Sequence, residues 1–143
     1  MAKYKIGYTT GVFDLFHIGH LNLLKKAKSQ CEHLIVGVTT DELVAYKHKQ
    51  AVIPFQERIQ IIEAIRYVDE AVPQTSMDKI SAWDNYHFNV MFVGDDWKGT
   101  LKWQEYERQF HELGVDIVYF PYTKGVSSTL LNETLNKLRN DII

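Results

Sequence analysis

The densest group of chemistry-bearing residues is Gly11-Val12-Phe13-Asp14-Leu15-Phe16-His17-Ile18-Gly19-His20. His17 and His20 are three apart, so at a helix start they occupy neighbouring positions about 5–6 Å apart. Gly11 permits a sharp turn and a close approach of a ligand to the backbone. Gly19 leaves space between the imidazoles where a side chain would block a bulky anion. A helix N-terminus adds roughly half a positive charge and unpaired N–H donors. Together these features suit phosphate oxygens. A His-x-x-His pair is also half a zinc site, but structural zinc takes four ligands and catalytic zinc usually three. His33, His48, His87 and His111 show no partner spacing, so no protein-held metal is expected. Two unrelated surface histidines are the third alternative. Their position after a strand and a glycine, and before a helix, favours the anion.

Such a turn needs elements to hold it. Mostly continuous apolar runs at Lys5–Thr10, Leu34–Thr39, Val90–Val93 and Val115–Phe120 predict strands covered on both faces, with a weaker one at Glu70–Val72. Leu21, Leu24, Ala27 and Cys31 recur at helical spacing and leave Lys25, Lys26 and Lys28 for solvent. Phe55, Ile59, Ile61, Ile62 and Ile65 form a second stripe with Pro54 at its start. Trp103, Tyr106, Phe110 and Leu113 form a third, closed by Gly114. Ser127 or Ser128 would cap a final helix carrying Leu130, Leu131, Leu135 and Leu138. The alternation predicts an α/β fold: a single doubly wound, Rossmann-like domain over residues 1–143. Its sheet is mainly parallel and five-stranded, with helices on both faces. Ligands in such folds sit beyond the carboxyl ends of the strands.

The 143 residues amount to about one domain at roughly 150 residues each. An apolar share of 45% and a charged share of 24% match an ordinary globular chain rather than a disordered one. The lone Cys31 cannot form an internal disulfide, which argues against a stapled secreted fold. A net charge of −2 argues against a nucleic-acid ligand. No apolar run of about 18 residues is present, so no membrane span is expected. The opening Met-Ala-Lys-Tyr-Lys-Ile lacks the apolar stretch of a signal peptide, and a cytoplasmic protein is expected. A Gly-x-Ser-x-Gly nucleophile elbow is also missing, which suits phosphoryl chemistry driven by positioning and charge.

Gly11-Val12-Phe13-Asp14-Leu15-Phe16-His17-Ile18-Gly19-His20 resembles the signature of the cytidylyltransferase family within the His-x-Gly-His nucleotidyltransferases. His-Ile-Gly-His is also the motif of class I aminoacyl-tRNA synthetases, which need longer chains and tRNA-binding surfaces. The family resemblance continues through Lys47 and Lys49, whose family counterparts reach the triphosphate and the incoming phosphate. It includes Arg58, for which the sequence leaves a ligand or a structural role open. It also takes in Arg66–Glu70, similar to a segment that meets the active site and a dimer partner; Arg66 either binds phosphate or pairs with Asp69. The loop Gly94-Asp95-Asp96-Trp97 resembles that of members acting on glycerol 3-phosphate. The last match is Tyr122-Thr123-Lys124-Gly125-Val126-Ser127-Ser128-Thr129, where the family has arginine and glutamate at positions 122 and 124.

The resemblance implies transfer of CMP from CTP to a phosphorylated alcohol, with glycerol 3-phosphate the expected acceptor, Mg²⁺ accompanying CTP, and a homodimer. His17, His20, Lys47 and Lys124 would be catalytic. Thr10, Gly11, Val12, Phe13, Gly19, Gly94, Asp95, Asp96, Trp97, Thr123, Gly125, Val126, Ser127, Ser128 and Thr129 would bind the nucleotide. Lys47, Lys49, Arg66 and Asp14 would serve the acceptor. Phosphoethanolamine, phosphocholine or another phosphorylated polyol, and ATP for CTP, are alternatives within the same chemistry. A nucleotide-binding regulator without turnover is the alternative raised by Tyr122, and a structural subunit binding a protein partner is a third.

Overall fold

The computed structural model describes residues 2–46, 49–95, 98–121, 134, 135 and 137. Five strands run β1 (Tyr4–Gly11), β2 (Cys31–Thr39), β3 (Glu70–Gln74), β4 (Val90–Gly94) and β5 (Asp116–Phe120). They pair in the order β3-β2-β1-β4-β5, every pair parallel. The helices are α1 (Ile18–Ser29), α2 (Asp41–Tyr46), α3 (Phe55–Glu63), α4 (Lys79–Tyr86) and α5 (Leu101–Glu112).

Alternate residues of each strand feed opposite faces of the sheet. Leu34, Val36 and Val38 of β2 pack with Leu24 and Ala27 of α1 and Ile62 of α3. Ile35 lies in the other layer, with Tyr8, Met91, and Trp103 and Phe110 of α5. Burial on both faces explains why these strands read as continuous apolar runs. The tightest approach is at Gly7 of β1: a Cβ there would lie 2.6 Å from Cε2 of Phe92 and 2.8 Å from Sγ of Cys31. At the end of α5, Gly114 takes φ +76°. This left-handed turn lets the Val115 amide reach back to Phe110 O at 2.8 Å.

Several details depart from the sequence expectations. Cys31 opens β2 rather than continuing α1, which Gln30 ends by donating its amide to Ala27 O. The apolar spacing ran on because the residue after the cap buries into the same layer as α1. Ile61 is exposed, so the stripe on α3 is narrower than its isoleucines implied. β3 extends through Pro73 because it is an edge strand, where a missing N–H is tolerated. The short helices α2 and α4 were not expected at all. Of the final helix, Thr134, Leu135 and Lys137 are described and helical; its proposed caps Ser127 and Ser128 lie outside the described residues.

Candidate active site

Strand order reverses at β1, with β2 on one side and β4 on the other. A doubly wound sheet opens a crevice at such a point. A cavity of about 410 Å³ lies there, beyond the carboxyl ends of the strands. Thr10, Gly11, Val12, Phe13, Asp14, His20 and Gly94, all anticipated, line it.

The histidines are fixed by the helix they begin. His17 is the N-cap of α1, and its Nδ1 accepts the Gly19 amide at 3.0 Å. His20 reaches back, its Nδ1 accepting the His17 amide at 3.3 Å. This is a capping box built from two imidazoles in place of the usual Ser/Thr and Glu/Gln. The rings stack with centroids 4.0 Å apart. Since each Nδ1 accepts, a neutral ring carries its proton on Nε2. Burial lowers the His17 pKa from the ordinary histidine value. Burial and then the neighbouring His17 push His20 down to about 4, with the Asp14 charge opposing them. Nε2 of His17 is shielded from solvent and has no hydrogen-bond partner among the described residues. An unmet buried donor costs about 1–3 kcal/mol, and a phosphate oxygen would satisfy it.

The turn before the histidines is held from below. Phe13 and Leu15 have left-handed φ of 53° and 51°, a strain that persists only where surrounding contacts enforce it. Between them Asp14, 3% exposed, accepts the amides of Val52 at 2.8 Å and Ile53 at 3.0 Å. Arg58, fully buried, donates to Ile53 O, Val12 O and Thr39 O at 2.7–2.8 Å. It also pairs with Asp41 at 2.6 Å. One guanidinium thus ties the histidine turn to the end of β2, to α2 and to the segment before α3. This resolves the open question about Arg58 in favour of structure. Asp41 also accepts the Phe55 amide at 3.0 Å, supplying the cap that Pro54 cannot. That bond, with Arg58 beside it, holds the Asp41 carboxyl below the usual carboxylate range against the effect of burial.

Gly19 lies in the first turn of α1 as expected. Lys49 is exposed, its amide donating to Val44 O, and is not among the cavity's lining residues. Arg66 is exposed and outside that lining, its guanidinium 5.8 Å from the centre of the Tyr67 ring. The alternative pairing of Arg66 with Asp69 does not form: Asp69 pairs with Lys28 at 2.6 Å, which draws its carboxylate the other way. Asp95 is exposed after β4. Lys47, Asp96, Trp97 and the whole of Tyr122–Thr129 lie outside the described residues.

Sequence reasoning missed the far wall of the cleft. Met77 and Lys79 come from around the start of α4, and Lys102, Trp103 and Tyr106 from α5. Thr39 and Gln74 contribute from the ends of β2 and β3. Trp103 and Tyr106 carried a signal, as helix-stripe aromatics, but a core stripe and a cleft wall look the same in sequence.

Fold and site together define an α/β domain with a histidine-capped helix start at its topological switch point; His20 lines the cleft there and His17 does not. The chain belongs to the cytidylyltransferase-like family, which it matches over residues 8–134. It is 36% identical over 128 residues to the glycerol-3-phosphate cytidylyltransferase of Bacillus subtilis, covering 89% of this chain and 94% of that protein. An ethanolamine-phosphate cytidylyltransferase of Arabidopsis thaliana is 33% identical over 96 residues, 62% of this chain and 22% of that one. In fold, the chain resembles a lipopolysaccharide core biosynthesis protein from Thermoplasma volcanium. The TM-score is 0.71 at 24% identity, covering 86% of this chain and 99% of the other. No helix among the described residues is long and apolar enough to cross a membrane.

Proposed function

We propose that this chain transfers CMP from CTP to a phosphorylated alcohol, with glycerol 3-phosphate as acceptor. The supporting observation is the imidazole capping box, which fixes the proton of each neutral ring on Nε2 at the turn flanking the cleft. A phosphate oxygen of the acceptor attacks the α-phosphorus of CTP, the bond to the bridging oxygen breaks, and pyrophosphate leaves with that electron pair. The acceptor is already an ionised nucleophile near neutral pH, so the protein must position and neutralise rather than activate. His17 and His20 donate to phosphate oxygens as the crowded phosphorus forms, and the α1 N-terminus adds amides and a favourable dipole. Lys47 and Lys124 neutralise charge in this proposal, and Lys49 or Arg66 orients the acceptor phosphate. Asp14 acts on the acceptor by holding the turn that faces it.

Mg²⁺ accompanies CTP in the same proposal. Both Asp14 oxygens already take backbone amides, and no three His, Cys, Asp or Glu side chains group to hold a metal among the described residues. Bound together with the nucleotide, Mg²⁺ would supply neutralisation of the triphosphate charge. A cytoplasmic setting, no nucleic-acid ligand and a homodimer joined through Arg66–Glu70 complete the proposal. A monomer in micromolar sedimentation would remove the dimer.

Pyrophosphate release, screened over CTP and ATP with glycerol 3-phosphate, phosphoethanolamine and phosphocholine, tests the function. Turnover is expected with CTP and glycerol 3-phosphate together, and with neither alone. CTP binding without product at saturating acceptor would instead mark the regulator that Tyr122 raised as an alternative.

A further inference from the structure

The helix starts fall into two groups. α2 and α3 contribute no residue to the cleft wall, and they carry Asp41, Glu42 and Glu57 in their first turns, where the helix dipole favours acids. α1, α4 and α5 line the cleft and carry no acid in theirs. Lysines stand there instead: Lys79 opens α4, and Lys102 is the second residue of α5. Asp78, the cap of α4, gives Oδ1 to the Ile80 and Ser81 amides.

Lys79 is buried and meets the Thr10 hydroxyl at 3.4 Å. Lys102 differs from it. It is exposed and lines the cleft, with no hydrogen bond or ion pair among the described residues. The acid placed to take it is Glu105, three residues along α5. Glu105 pairs with Arg108 instead, and Arg108 holds Glu112 as well. Asp14 is the carboxylate on the described cleft wall, and its two oxygens accept the Val52 and Ile53 amides. The described wall thus sets two ammonium groups against one carboxylate. An ammonium on a four-carbon stem is a compact charge that follows an oxyanion, and its hydrogen bond to one is charge-assisted.

We propose that Lys102 is a phosphate-binding residue of this site: its ammonium donates to a phosphate oxyanion of a bound substrate. The triphosphate of the nucleotide and the phosphate of the acceptor share that chemistry, and separate binding measurements tell them apart. The inference rests on the transfer reaction proposed above and adds to it a cation from α5.

Calorimetric titrations of wild type, Lys102→Met and Lys102→Arg with CTP and with cytidine, and the KM of each for glycerol 3-phosphate, test it. With the triphosphate as partner, Lys102→Met should weaken CTP binding about tenfold and leave cytidine within about twofold. With the acceptor phosphate as partner, CTP binding should hold within about twofold while the KM for glycerol 3-phosphate rises about tenfold. Lys102→Arg keeps the charge and should stay within about threefold of wild type in both. An exposed residue should tolerate these changes, with thermal unfolding within a few degrees of wild type. Lys102→Gln replaces the Met variant if that one does not fold. CTP affinity and acceptor KM both within about twofold in Lys102→Met would overturn the role of Lys102. So would an equal loss for CTP and cytidine, which would put the side chain on the nucleoside. A wild type that binds CTP but turns over no acceptor would remove the transfer reaction, and CTP against cytidine would then decide Lys102. A wild type that binds no CTP would take away both.

Discussion

With Nδ1 of His17 accepting the Gly19 amide, one imidazole caps a helix and leaves Nε2 without a partner among the described residues, the atom to which the proposed reaction gives a phosphate oxygen. The two roles can be separated. Asparagine at an N-cap keeps a side-chain acceptor and costs little stability, but it lacks Nε2. His17→Asn is therefore expected to unfold within about 0.5 kcal/mol of wild type in urea while kcat falls by about 10²-fold or more. A loss below about tenfold would take His17 out of the chemistry. His20, held down to about 4 in the folded chain, charges near 6.5 when unfolded. Acid therefore favours the unfolded state through this residue, and its stabilising contribution is lost as pH falls from about 6.5 to about 4. Urea midpoints across that range check the prediction, and His20→Gln should flatten the slope. The histidine pair was legible in sequence because strand, glycine, histidines and helix follow one another directly. Lys79 was not legible: a lysine beside Asp78 reads as solvated charge, and only the tertiary fold turns it inward. Arg58 was ambiguous for the same reason.

At the scale of elements, the histidine turn is held less by its own sequence than by α2, α3 and the chain between them. Arg58 gathers three carbonyls and Asp41, and Asp14 takes two amides from residues 52 and 53. Removing the guanidinium leaves buried carbonyls without donors. Arg58→Met should therefore cost about 3 kcal/mol or more in urea unfolding, with a loosened turn and reduced turnover. A cost under about 1 kcal/mol would show that the turn holds itself. The long strands and α1, α3 and α5 were legible because burial on both faces, or a wide apolar stripe, leaves a strong periodic trace. α2 and α4, with six and eight residues, are too short for that trace. Their caps and contacts are tertiary: Asp41 serves α3 from α2, across 14 residues of sequence.

Over the whole molecule, the sheet order β3-β2-β1-β4-β5 does the placing. It leaves a crevice beside the strand whose next turn carries the histidines, and it brings α4 and α5 to the opposite wall. That convergence joins residues 69 positions apart, such as Thr10 and Lys79, and no local pattern announces it. In the proposed reaction the imidazoles of His17 and His20 receive the phosphates of the nucleotide. The most direct measurement is the ¹⁵N imidazole spectrum of the protein titrated with CTP and, separately, with cytidine. CTP should shift the Nε2 resonances of both histidines, and cytidine, which has no phosphates, should leave them in place. Saturation by CTP with both resonances unmoved would take the phosphates away from His17 and His20.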